Sequence, residues 1–158
     1  MDVTLTSKLE QGTFPGFRPL IPSAFSNKVV FAPQELAAAV RSIAAVAQEG
    51  AGIIRLNWTQ DRLTVSARGD DHHASAQLAA QAVLPGRIAF NYKYLLEALA
   101  PMTQPVMLET NSETLPGLFT SEGCANMLIM PMYVQWESDP EQAVPAAPAP
   151  TESEPEPA

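Results

Sequence analysis

Short runs of alternating apolar and polar residues, each closed by a turn signal of two or three residues, dominate this chain, and helical spacing interrupts them twice. Strands joined by such short connections run antiparallel, because a parallel pair needs a crossover of about a dozen residues or more. The expectation is an α+β fold, with antiparallel sheet and two helices on one face.

Val3 to Leu9 alternates and reads as a half-buried strand, closed by Gln11-Gly12 and Pro15-Gly16. Phe14 to Pro22 reads as an extended connector, because its prolines fix φ and disfavour helix in the residues before them. Lys28 to Ala32 is a short β-rich run. Pro33 then opens a helix over Gln34 to Gln48, in which Leu36, Val40, Ile43 and Ala47 fall on one stripe. Gly50 and Gly52 stop it. Ile53 to Thr59 and Arg62 to Ala67 form a hairpin about Gln60-Asp61, and Ala74 to Val83 and Arg87 to Phe90 follow, separated by Leu84-Pro85-Gly86. Asn91 suits the N-cap of a second helix carrying Leu95, Leu96, Leu99 and Met102, which Pro101 and Pro105 help to end. Pro105 to Glu109, Gly117 to Ser121 and Met127 to Val134 complete the strands. Each half is a helix followed by a meander, which implies a structural duplication although the residues do not visibly repeat.

A length of 158 residues suits one domain with tails, and 46% hydrophobic residues supply its core. All nine Lys and Arg lie at or before Lys93, whereas Glu137 to Ala158 holds six acidic residues and no basic one; removing those six from the formal −8 leaves about −2 for the body. Ser138 to Ala158, rich in Pro, Ala and Glu, is expected to be disordered and solubilising, or to screen whatever lies beside its first residues. One cysteine, Cys124, excludes an intrachain disulfide and fits a reducing compartment. No basic-then-apolar leader and no bilayer-length apolar run is present, so a cytoplasmic chain with no membrane attachment is expected. Asp70-Asp71-His72-His73 carries metal-ligand chemistry, but neighbours in a hairpin loop point apart, and no second ligand cluster accompanies them. With no phosphate-cradling glycine loop, zinc spacing or nucleophile motif either, no enzyme activity and no cofactor are expected.

Four segments carry a resemblance: Glu10-Gln11-Gly12-Thr13-Phe14-Pro15-Gly16-Phe17-Arg18-Pro19-Leu20-Ile21-Pro22; Ile54-Arg55-Leu56 with Arg62-Leu63-Thr64-Val65-Ser66-Ala67; Phe90-Asn91-Tyr92-Lys93-Tyr94-Leu95-Leu96-Glu97-Ala98-Leu99; and Met127-Leu128-Ile129-Met130-Pro131-Met132. In order and spacing over residues 3 to 134 they resemble the C-terminal domain of the bacterial DNA polymerase III beta subunit, the DNA sliding clamp. The resemblance implies the DNA clamp fold, divided into the last strand of a preceding clamp-like domain (1–13), an interdomain linker (14–26), the C-terminal clamp domain (27–136) and an acidic tail (137–158). It also implies a non-catalytic processivity factor that encircles double-stranded DNA and docks replicative or repair polymerases and the clamp loader. Ring formation would require self-association or a full-length clamp subunit. The alternative is a stand-alone or truncated clamp paralogue, acting as a peptide-binding module without a ring.

The resemblance further implies a partner-peptide pocket lined by Pro15 and Leu20 from the linker, Asn91 and Tyr94 from the second helix, Leu115 and Gly117 from a strand end, and Leu128, Met130, Pro131 and Met132. Methionines and aliphatics make an adaptable apolar floor, and Asn91 and the Tyr94 hydroxyl are suited to fixing a peptide backbone or glutamine. Plainer roles stand beside these: strand packing for Met130 and Met132, an N-cap for Asn91, a half-buried ring for Tyr94. Gly16, Phe17, Pro19 and Tyr133 depart from the family pattern and alter the rim. Clamp helices face the DNA phosphates, which makes Arg41 and Lys93 the candidate DNA contacts; a solvated surface, or a Lys93–Glu97 pair at i,i+4, would explain them equally.

Overall fold

Two matching series of elements make up the domain. The first is β1 (Asn27–Phe31), α1 (Pro33–Glu49), β2 (Ile53–Trp58), β3 (Arg62–Arg68) and β4 (His73–Ala82). The second is β5 (Gly86–Asn91), α2 (Tyr92–Leu99), β6 (Val106–Thr110), β7 (Gly117–Ser121) and β8 (Met127–Ile129). In the computed structural model the described residues are 4–8, 11–13, 16 and 18–136. Pro15 and the acidic tail therefore lie outside the described residues.

The strands form one sheet in the order β5-β2-β3-β4-β1-β6-β7-β8, and every pairing is antiparallel. The duplication is legible in the pairings: β2 joins β5 as β6 joins β1, and β3 and β7 each follow in turn. Strand β4 is long enough to serve both halves. It pairs with β3 from Arg68↔His73 to Arg62↔Ala79, then carries Ala80 to Ala82 across to β1. The equivalent crossing from β8 to β5 consists of a backbone bond from Met132 N–H to the Ala89 carbonyl, 2.8 Å.

Three expected elements take another form. The strand expected over Met127 to Val134 ends at Ile129, because Pro131 has no N–H to continue the ladder. Thr4 to Lys8, inside the strand expected at Val3 to Leu9, is in no strand; Leu5 is 92% exposed. An extended segment becomes a strand only when a neighbour takes its backbone bonds, and no described strand lies beside it. Within the expected extended connector, Arg18–Leu20 forms a 3-10 turn closed by Ile21 N–H to the Arg18 carbonyl at 3.2 Å, with Pro19 supplying the fixed φ.

Helix α1 starts at Pro33 and buries Leu36, Val40, Ile43 and Ala47 against β2, β3 and β4. It stops where Gly52 takes φ +72°, a left-handed conformation, and donates its N–H to Ala47 at 2.8 Å. Helix α2 lies beside α1 and buries Leu95, Ala98 and Leu99. The two helices and the sheet enclose one core around Trp58, Phe90 and Phe119, whose two phenylalanine rings meet at 5.5 Å and 59°. On β1 and β6, Lys28 and the nearly buried Glu109 are cross-strand partners joined by a 2.7 Å ion pair.

Candidate functional site

Helix α2 is placed by its first residues. Asn91 Oδ1 accepts the Lys93 N–H at 3.0 Å, which satisfies one of the helix's otherwise open donors, and Tyr92 N–H donates to the Gly52 carbonyl at 3.0 Å. With Leu95, Ala98 and Leu99 turned into the core, Tyr94 and Glu97 are left on the outer surface. The chain leaving β8 runs past that surface, fixed by the Met132–Ala89 bond. Between the two lies an open, mostly apolar groove of about 470 Å³. Tyr94, Glu97 and Ala98 form its helical side, and Met127 to Met132 the other.

Tyr94 and Met130 are 62% and 58% exposed, so two large apolar side chains stand in solvent at the groove's mouth. Ala98 contributes a small buried surface between them, and Glu97 adds a carboxylate. Such a groove suits a short peptide with one or two apolar side chains, and flexible methionines let it adapt to more than one.

Of the residues singled out in the sequence, the structure gathers Tyr94, Leu128, Met130, Pro131 and Met132 into this groove. Asn91 sits one turn away, with its carbonyl oxygen engaged in the cap. Leu20, in the 3-10 turn, and Leu115, between β6 and β7, are exposed and outside the groove lining. Gly117 is buried in the core, where a Cβ would stand 2.7 Å from Phe90 Cζ and 2.9 Å from Leu108 Cδ1. Sequence reasoning missed Glu97, Ala98, Met127 and Ile129. Helical spacing of i+3 and i+4 from Tyr94 was the signal for the first two.

Arg41 and Lys93 are both exposed on the helices, and the Lys93 ammonium lies 5.9 Å from the centre of the Tyr92 ring. Asp70 to His73 close the β3–β4 hairpin through Gly69 N–H to the His72 carbonyl at 2.8 Å, and His72 Nδ1 faces Glu49 at 3.5 Å. Among the described residues no group of three or more His, Cys, Asp or Glu is placed to hold a metal. Cys124 is a free thiol whose Sγ donates to the Pro101 carbonyl at 3.2 Å. Among the described residues no helix is long and apolar enough to cross a membrane.

A second groove of about 740 Å³ opens at the start of β1 and β5. Its polar groups bond to one another: Asn27 Nδ2 donates to the Pro85 carbonyl at 2.8 Å, Trp58 Nε1 to Asn27 Oδ1 at 3.3 Å, and Arg87 pairs with Glu113. This arrangement closes the β4–β5 and β6–β7 loops onto each other.

The fold has known counterparts. The family described as "DNA polymerase III beta subunit, C-terminal domain" matches residues 18–133. The beta sliding clamp of Synechococcus elongatus is 29% identical over 142 residues, which is 87% of this chain and 38% of that protein. That of Streptomyces coelicolor is 31% identical over 119 residues, 73% of this chain and 31% of that protein. The crystal structure of the DNA polymerase III subunit beta sliding clamp from Bartonella birtlesii superimposes with a TM-score of 0.75 at 26% identity, covering 81% of this chain and 38% of that one. The chain thus spans less than two fifths of the length of these relatives. With the antiparallel sheet and the paired helices in place and the family match running over residues 18–133, the chain belongs to the DNA polymerase III beta subunit family and corresponds to its C-terminal, sliding-clamp-fold domain.

Proposed function

We propose that this chain acts as a sliding-clamp domain that docks DNA polymerases and other clamp-binding proteins through the α2–β8 groove, without catalysis of its own. The observation that carries this reading is the exposure of Tyr94 and Met130 over an apolar floor. A core residue left in water has no structural use, whereas a peptide side chain seated between them removes that surface from solvent. Residues 1–13 would then be the last strand of a preceding domain and 14–26 the linker beside it, with Pro15, Leu20, Asn91 and Leu115 contributing only if a partner or a second clamp domain extends the site, and Gly117 acting from the core beneath it. Residues 137–158 would be an acidic, solubilising tail.

Processivity would come from a ring built with further clamp domains, by self-association or with a full-length subunit. Arg41 and Lys93 would face the phosphates of the encircled duplex. Two cations suit a ring that slides, because topology holds it while weak attraction leaves it mobile. The setting would be the cytoplasm, with the replication machinery and clamp loader as partners.

The test is a fluorescein-labelled peptide copied from the clamp-binding segment of a replicative polymerase, titrated against the purified chain with molar mass measured alongside. Saturable binding that Tyr94→Ala and Met130→Ala both weaken is expected. A folded chain that does not bind the peptide would overturn the docking role.

A further inference from the structure

The match to the clamp family ends at residue 133, yet the next three residues are in defined positions. Trp136 is 8% exposed, and the Arg87 guanidinium lies 4.9 Å from the centre of its ring. A cation at that distance over a tryptophan face is held by the ring quadrupole, more firmly where water is partly excluded. Arg87 is itself held by Glu113, since its Nε donates to Glu113 Oε2 at 2.5 Å. Glu113, Arg87 and Trp136 therefore form a chain of contacts running from the β6–β7 loop through β5 to the last described residue.

Those contacts bear on the groove because of where Arg87 sits. It lies two residues before Ala89 on β5, and Ala89 accepts the Met132 N–H. Strand β5 thus grips the segment after β8 at two points, Met132 and Trp136, with exposed Tyr133 between them. Met130, Pro131 and Met132 are the groove wall. Pro131 prevents a continuous ladder there, so the wall needs another restraint beside the Met132 bond. A segment that has left the ladder and is held at one point samples many conformations; a second point of attachment restricts it.

We infer that Trp136, seated on Arg87, is a positioning residue that latches Met130–Met132 into the shape a partner peptide binds. The inference deepens the docking reading and rests on it for its functional consequence. Its structural core, the ordering of the Met132 segment, stands apart from any peptide. Without the latch the wall would sample open conformations, and apparent affinity would fall by the fraction of molecules still in the competent one, about tenfold.

The experiment uses the whole chain with Trp136→Ala, Trp136→Phe and Arg87→Met. Hydrogen exchange is followed at Met132, and at Val29 and Leu108 in the core, and the same labelled polymerase peptide is titrated. In Trp136→Ala, Met132 should exchange at least about tenfold faster while Val29 and Leu108 keep their protection, and peptide affinity should drop about tenfold. Arg87→Met should reproduce part of both effects. Trp136→Phe, which keeps a ring over the guanidinium, should restore most of each. Wild-type exchange at Met132 in Trp136→Ala overturns the latch, as does an equal loss of protection at all three amides, which would make Trp136 a core residue. If the wild-type chain binds no peptide, the docking reading fails, and the exchange at Met132 still decides the latch.

Discussion

Replacing Met130 by alanine separates a binding surface from a packing residue. Met130 is 58% exposed, and the apolar surface it leaves in water is on the order of 100 Å². Covering most of that area with a peptide, at about 25 cal/mol per Å², is worth about 2 kcal/mol, and the alanine Cβ retains part of it. Met130→Ala should therefore weaken the polymerase peptide by about 1–1.5 kcal/mol, or five- to fifteenfold. The half already buried against the wall makes few contacts, so unfolding free energy should fall by no more than about 0.5–1 kcal/mol, well short of a core methionine. Anisotropy titration gives the first number and urea denaturation, monitored by circular dichroism, the second. A variant that loses more than about 2 kcal/mol of stability, while its folded fraction binds with unchanged affinity, would refute the reasoning and return Met130 to the core.

Gly117→Ala should cost about 1–3 kcal/mol in denaturant unfolding, because the new Cβ would press on buried Phe90 and Leu108; a change near zero would mean the space is open after all. Asn91→Ala should cost about 1 kcal/mol through the lost cap on α2, and peptide affinity at full folding should hardly change, since Asn91 Oδ1 is already committed to Lys93. A larger effect on affinity than on stability would instead place Asn91 in direct contact with the peptide. Arg41→Gln combined with Lys93→Gln should flatten the salt dependence of duplex DNA binding by about two in log K against log salt, measured by anisotropy across a salt series; an unchanged slope would leave both residues as solvated surface.

Most of the elements follow from local chemistry that the sequence displays. Pro33 and the Leu36–Val40–Ile43–Ala47 stripe specify α1, Asn91 specifies the start of α2, and the turn residues set every strand from β2 to β7. The differences between the expected and observed strands have one cause. Whether Thr4–Lys8 or Met130–Val134 becomes strand depends on a neighbour that takes its backbone bonds, and alternation alone does not supply one. Where Pro131 interrupts, the segment keeps a single bond to Ala89 and leaves the ladder.

The same division runs through the site. The fold class, the two helices and the start of β8 at Met127 were legible in the residues alone, because period, caps and turns act over a few residues. Packing of the elements decided that Gly117 fills the core and that the α2 face carrying Tyr94, Glu97 and Ala98 meets the Met127–Met132 segment across one groove. It alone brings Trp136 onto Arg87, residues far apart in the chain and joined because β5 lies next to the path leaving β8. Burial and proximity are properties of packed elements, and no local pattern encodes which neighbour a side chain will meet.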